Sequence, residues 1–221
     1  MKKILFLTVL LGTVAVGGHA QNYRFGAKGG VNYATLTGMQ QANISGRAGL
    51  QGGILFMYGV YQPIGFHVEL LYSPKGFARD PVVVDSPAES LRIASRDRFH
   101  YLDLPFLFKF KKGAFFFEAG PQASFLFRAR SETTTTTTRP GLPEEVDLQA
   151  RNVLGEVKRF DYGAAAGFGF RVNEDLEVNL RYNAGFRPVR RDSPSPGYDI
   201  TGQARNTSFQ FSVNYFIPGF P

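Results

Sequence analysis

Apolar and polar residues alternate with a period of two along most of this chain, most clearly in its last long segment. There Phe209, Phe211, Val213 and Tyr215 alternate with Ser208, Gln210, Ser212 and Asn214. Successive side chains of a strand point to opposite faces, so this spacing predicts a strand with one apolar and one polar face. The preceding segment repeats it, with Leu176, Val178, Leu180, Tyr182 and Ala184 against Glu177, Asn179, Arg181 and Asn183. Further back, Phe160, Tyr162, Ala164, Ala166, Phe168 and Phe170 share one face, and Phe115, Phe117, Ala119, Ala123, Phe125 and Phe127 another. Leu102, Leu104, Phe106, Phe108 and Phe110 oppose Tyr101, Asp103 and Lys109, and Ile64, Phe66, Val68, Leu70 and Tyr72 oppose His67, Glu69 and Ser73. Two Gly-rich segments near 25–33 and 47–58 complete about eight strands, with a less defined register.

The pattern has exceptions. Leu55, Met57, Leu71, Leu107, Phe116 and Leu126 fall on the polar side, and Pro105 and Pro121 each remove a ladder donor. Even so, the segments approach the roughly ten residues of a membrane-spanning strand, and their apolar face is rich in the Phe and Tyr of membrane girdles. Strands of a soluble sandwich average about five or six residues. Links near 59–62, 111–113 and 173–175 are short, whereas those at 34–46, 74–98, 128–158 and 188–204 are long. Strict alternation of short and long links predicts an all-β fold, a transmembrane antiparallel up-and-down barrel of about eight strands. Tight turns and both termini would then lie in the periplasm and the long loops outside the cell. The run Thr133 to Thr138, followed by Pro140, Gly141 and Pro143, reads as a low-complexity, mobile loop.

The N-terminus fits export. Lys2 and Lys3 precede an apolar run from Ile4 to about Val16, then Gly17, Gly18, His19 and Ala20. This order is that of a cleavable signal peptide over residues 1–20, leaving one barrel domain over 21–221. The run is shorter than the roughly 18 to 20 apolar residues of a spanning helix, which disfavours a retained anchor. The formal charge of +7 falls to +5 without the two leader lysines (7 minus 2). A basic surface suits nucleic acid or lipid phosphate, and export favours lipid over nucleic acid. The absence of cysteine excludes disulfides, thiolate metal sites and thiol nucleophiles. No metal-ligand spacing or phosphate-binding loop is found, and no cofactor is expected.

Several ordered motifs carry a family resemblance. They are Phe25-Gly26-Ala27-Lys28-Gly29-Gly30-Val31-Asn32, Glu69-Leu70-Leu71-Tyr72-Ser73-Pro74-Lys75-Gly76, Tyr101-Leu102-Asp103-Leu104-Pro105, Phe117-Glu118-Ala119-Gly120-Pro121 and Leu180-Arg181-Tyr182-Asn183-Ala184-Gly185. Together, over nearly the whole mature chain, they resemble the outer-membrane β-barrel family common in Bacteroidetes, which includes the PorT-type proteins and shares the small, OmpA-like eight-stranded form. The resemblance implies insertion by the outer-membrane assembly machinery and no single activity. Its PorT-type members imply a link to type IX secretion, hence envelope or secretion proteins as partners. The tail Ile217-Pro218-Gly219-Phe220-Pro221 departs from the family, whose chains end on an aromatic residue of the last strand.

The interior of an eight-stranded barrel is just wide enough for side chains to fill. The inward polar candidates are Lys28, Glu69, Asp103, Lys109, Glu118, Asp161, Arg171, Glu177 and Arg181. Their mixed signs are read as a structural ion-pair network rather than a proton or ion path. A turn centred near Glu174 sets Arg171 opposite Glu177 and Asp161 opposite Arg187, with Gly167 and Gly169 leaving room for Arg181. A second set, Arg47, Arg98, Arg128, Arg159, Arg187 and Arg205, marks the long-loop strand ends, with Arg130, Arg190 and Arg191 beyond. Guanidinium forks match phosphate, so these read as a belt on lipopolysaccharide phosphates or, plainly, as solvated loop charges. The enzymatic alternative, lipid A modification, needs His100 with Asp97 or Asp103 as base and has no evident nucleophile. A structural or partner-binding role without catalysis is expected, with the second and third long loops as docking surfaces.

Overall fold

The computed structural model describes residues 23–38, 44–61, 63–189 and 204–218. The predicted leader over 1–20 lies outside the described residues, as do the inner parts of the links 34–46 and 188–204. The described residues form nine strands: β1 (Tyr23–Thr37), β2 (Ile44–Tyr61), β3 (Ile64–Asp85), β4 (Ser90–Lys112), β5 (Phe115–Thr138), β6 (Glu145–Asn152), β7 (Phe160–Arg171), β8 (Leu176–Pro188) and β9 (Arg205–Phe216). All pairings are antiparallel. Each strand pairs with the next from β1 to β5, β5 continues to β7, and β9 returns to β1, so eight strands close a ring that leaves out β6. The expected short links hold, with β2–β3, β4–β5 and β7–β8 joined by two to four residues. The Gly-rich first hairpin has an unbroken register from Tyr23↔Tyr58 to Ala34↔Arg47.

The period-two pattern sorts side chains between the ring's two surfaces. Outward residues include Phe106, Leu180 and Phe211, each close to half exposed. Inward ones include Lys28, Glu69, Lys109 and Arg181, all buried. A soluble protein would bury its apolar face. Here the apolar face forms the outer wall, the arrangement a hydrocarbon solvent demands.

The exceptions to alternation are inward apolar residues: Leu71 and Leu107 lie level with the polar centre, opposite Asp103 and His67, and the others lie toward the ends of the lumen. At the short-turn end Leu55, Met57 and Phe216 form one cluster. At the long-loop end Phe77, Phe99, Tyr101, Leu126, Val153 and Val157 form part of another. Val153 and Val157 come from the β6–β7 link, which drops back into the mouth through a turn closed by Glu156 N–H donating to the Val153 carbonyl. Polar groups in the middle are thereby shut off from water at both ends. Pro105 also points inward and is buried, opposite Gln122.

Two of the predicted loops are instead largely strand. β3 and β4 pair as far as Asp85↔Ser90, so the link predicted over 74–98 contracts to a tight turn. Thr133–Thr138 is a paired strand rather than a mobile loop. It lies between Ser90–Ser95 of β4 and Glu145–Gln149 of β6. β-branched threonine favours the extended backbone, and two paired edges outweigh its low complexity. The upper halves of β3, β4 and β5 with β6 thus form a four-stranded blade beyond the ring. β5 gives its lower edge to β7, from Phe115↔Phe170 to Phe125↔Phe160, and its upper edge to β6, from Arg130↔Asn152 to Thr137↔Glu145.

Alternation fixes which β6 groups are free. Val153 N–H donates to the Ala129 carbonyl at 3.2 Å, in the register of the β5–β6 pair. Hydrogen-bonded pairs recur every second residue, so odd-numbered β6 residues bond to β5 and Val146, Leu148 and Ala150 turn their backbone groups to the free edge. Amide hydrogen exchange in detergent should therefore be slow at Thr134–Thr136 and fast at Val146, Leu148 and Ala150. Uniformly fast exchange across both segments would mean that the blade does not hold together.

Candidate functional site

The polar interior gathers around Arg181, a β8 residue held opposite Gly167 of β7. A Cβ on Gly167 would run into the Leu180 carbonyl and the Arg181 backbone, so only glycine lets the two strands approach here. Arg181 makes a bidentate pair with Glu69, its Nη1 donating to Oε2 at 2.6 Å and its Nη2 to Oε1 at 2.8 Å. Its Nε donates to Glu118 Oε1 at 2.8 Å, and Asn179 Nδ2 donates to the same oxygen at 2.7 Å. Lys28 Nζ reaches both oxygens of Glu69, at 3.1 and 3.3 Å. The His67 ring lies between the two glutamates, 3.6 Å from Glu69 and 3.7 Å from Glu118. Charges this deeply buried persist only when paired and hydrogen-bonded, and this geometry meets that condition.

Two further pairs flank this centre. Toward the short turns, Lys109 donates to Glu177 and lies 3.7 Å from the centroid of the Phe116 ring. Toward the long loops, Lys75 donates to Asp103 at 3.0 Å and lies 4.6 Å from the Tyr101 ring centroid. Above them is a small polar cavity lined by Lys75, Gln122, Asp161, Asn183 and Asn206 among others. Its upper wall is tied by Asn206 Nδ2 donating to the Tyr101 hydroxyl at 3.1 Å.

Lys28, Glu69, Asp103, Lys109, Glu118, Asp161, Glu177 and Arg181 are all buried in the interior. Arg171 does not join them. It faces Glu177 in register, yet it is half-exposed at the barrel end and donates to the Gly113 carbonyl at 3.3 Å, while Glu177 pairs with Lys109. Glu177 is taken instead by the buried ammonium of Lys109, and Arg171 turns to the barrel end. Asp161 does lie beside Arg187, but it accepts that residue's backbone N–H at 3.2 Å rather than its guanidinium. Lys75 was missed because its segment read as loop. The continued alternation Leu71, Ser73, Lys75 could have revealed it.

The six rim arginines do not form an even belt. Arg187 donates through Nη1 to the Phe160 carbonyl. Arg159 and Arg205 are exposed near the starts of β7 and β9. Arg98, Arg128 and Arg47 instead lie near one another: Arg98 is two residues from His100 on the same face of β4, Arg128 pairs with His100 across β5, and Arg47 follows Gly46, which pairs with Phe77 beside Gly76, the partner of Arg98. His100 and the proposed partners Asp97 and Asp103 lie on opposite faces of β4, both carboxylates being buried inside. His100 Nδ1 is 2.7 Å from the Tyr72 hydroxyl on the outer wall. The base pair of the enzymatic alternative is therefore not assembled. Among the described residues, no group of three or more His, Asp or Glu is placed to hold a metal ion.

The sequence profile of the outer membrane protein β-barrel domain family matches residues 19–191. The chain belongs to that family, and it is an integral outer-membrane protein. No curated protein matches it. Among solved structures it is similar to Ail, the attachment invasion locus protein of Yersinia pestis, at 9% identity, covering 89% of this chain and 99% of that one with a TM-score of 0.41. It is also similar to Neisserial surface protein A, at 12% identity, 90% and 100% coverage and a TM-score of 0.45. A third is the outer membrane protein OprG from Pseudomonas aeruginosa, at 12% identity, 90% and 98% coverage and a TM-score of 0.32.

Proposed function

We propose that this outer-membrane barrel is a non-catalytic platform that holds its blade outside the cell for a protein partner, with the short turns and both termini in the periplasm. The free edge of β6 carries this reading. All eight of its residues are exposed, and every second one turns unpaired backbone groups outward. An open edge of this kind is a hazard unless used or covered, and adding a strand to it supplies main-chain hydrogen bonds. Its side chains alternate as well: Val146, Leu148 and Ala150 offer apolar contacts on one face, and Glu145, Asp147 and Arg151 lie on the other. The closed interior supports the same reading, because its charges are spent on one another between two apolar layers. An accessory of the PorT type, serving secretion through a stable envelope partner, is the alternative form that the sequence resemblance implies.

Cross-linking in native outer membranes, followed by tag purification, tests this. The wild type should capture an envelope protein in fixed stoichiometry. Leu148→Pro removes a free-edge donor without removing a bond to β5, and it should abolish that capture while the barrel still folds. Capture unchanged by Leu148→Pro, or no stoichiometric partner at all, overturns the proposal.

A further inference from the structure

A second feature of the outer wall has no part in the β6 edge. The β4–β5 register shifts between His100↔Arg128 and Tyr101↔Leu126, so Phe127 is an extra residue on β5. A bulge re-aims side chains. This one turns Phe127 and Arg128 to the outside together, whereas Leu126 and Ala129 on either side are buried. Phe127 thereby joins an aromatic shelf. The Tyr72 and His100 rings stack with centroids 5.9 Å apart, and Phe127 lies 6.3 Å from Tyr72 and 6.1 Å from His100. The Tyr72 hydroxyl engages His100 Nδ1, which fixes the ring and leaves Nε2 available.

Cations stand over this shelf. Arg98 lies opposite Arg130 on one side and Gly76 on the other, so no side chain crowds its guanidinium from β3. Gly76 has φ +153°, and a Cβ there would collide with the Asp97 carbonyl, so this gap is built into the backbone. Arg47 completes the group, next in β2 to Gly46, which pairs with Phe77 beside the Gly76 gap. Glu132 neutralises part of it, 3.2 Å from Arg98 Nη2. Arg98 Nε is nevertheless buried with no hydrogen-bond partner. Directly below lie the apolar, outward-facing Leu102, Leu104 and Phe125.

We propose that Arg47, Arg98 and Arg128 with His100 form a clamp for the phosphate of one outer-leaflet glycolipid, whose acyl chains lie along the Tyr72–Phe127 shelf and the wall beneath it. Guanidinium forks match phosphate oxygens bidentately. The aromatic rings sit where a membrane protein places its interfacial girdle. A phosphate held there would accept from the exposed guanidinium ends of Arg98 and Arg128 and from His100 Nε2, and would offset the repulsion between the cations. The lipid, rather than free phosphate, is the ligand because the cations sit on an apolar shelf and not in a water-filled pocket. The clamp rests on the orientation given above, but it shares no residue with the β6 edge, so either can fail alone.

Native mass spectrometry of the folded barrel in detergent tests it, with diphosphorylated lipid A, dephosphorylated lipid A and inorganic phosphate as probes. One molecule of diphosphorylated lipid A should bind, with affinity at least tenfold lower in the Arg98→Gln, Arg128→Gln double variant and unchanged in Arg205→Gln. Phe127→Ala should weaken the lipid and leave any phosphate binding untouched. Equal binding of the dephosphorylated lipid, or a double variant that binds like the wild type, overturns the clamp. Inorganic phosphate that binds as tightly as the lipid overturns the lipid assignment.

Discussion

Replacing Arg181 with methionine should destabilise the folded barrel by about 3–5 kcal/mol, the usual cost of removing one partner from a buried ion pair. Arg181 is the shared cation of Glu69 and Glu118, and all three side chains are at most 1% exposed. Without it Glu69 keeps Lys28, and Glu118 keeps only Asn179 and the more distant His67. The double variant Arg181→Met, Glu118→Gln should recover part of the loss, because it removes the stranded charge rather than adding a bond. Urea titration of the refolded barrel, read by the mobility shift between folded and unfolded forms, measures both. A single variant within about 1 kcal/mol of wild type would mean that trapped water, not Arg181, satisfies the two carboxylates.

The outer wall makes a second large prediction. Phe106→Arg places a charge on the outward face near the middle of β4, between the Lys112 end and the His100 rim, and should cost about 2–4 kcal/mol in a bilayer. Phe115→Arg, beside the short turn, should cost only about 0–1 kcal/mol, because its side chain reaches the interface. Both residues are exposed in the structure, at 49% and 62%. Exposure alone would rank Phe115 no more sensitive than any other surface site, and only a hydrocarbon solvent makes depth matter. Equal costs at the two positions would contradict the membrane-spanning assignment.

These expectations separate what parity reveals from what it cannot. Parity placed Glu69, Glu118 and Arg181 inside, since each sits on the polar face of a strand whose other face is Phe, Leu and Tyr. It could not say that Arg181 would serve two carboxylates from different strands, because a pairing across the lumen depends on how the ring closes. The same limit explains Arg171. Its nearest neighbour in register is Glu177, but a carboxylate inside a barrel can turn to any of eight strands, and here it meets the fully buried Lys109 of β4. Leu55, Met57 and Leu126 looked like flaws in the alternation and belong to the two layers that seal the polar centre. Nothing local distinguishes a defect from a seal.

The threonine run illustrates a different boundary. Its composition says loop, its β-branched side chains say strand, and the deciding factor is the presence of β4 and β6 on either edge. His100 shows the converse for chemistry: it is near Asp97 and Asp103 in sequence, yet one strand's pleat puts it outside and them inside.

The sequence by itself determined the class of this protein. Period-two alternation with an aromatic outer face, and short links alternating with long ones, admit few folds other than a small membrane barrel, because backbone groups in hydrocarbon must all be paired. Tertiary structure alone decided which charges meet in the lumen, that two loops stand up as a blade with an open edge, and that three arginines and a histidine converge over one aromatic shelf. Each of these depends on ring closure, on a register shift or on strand pairing between segments far apart in the chain, and such contacts leave no local mark in the order of residues.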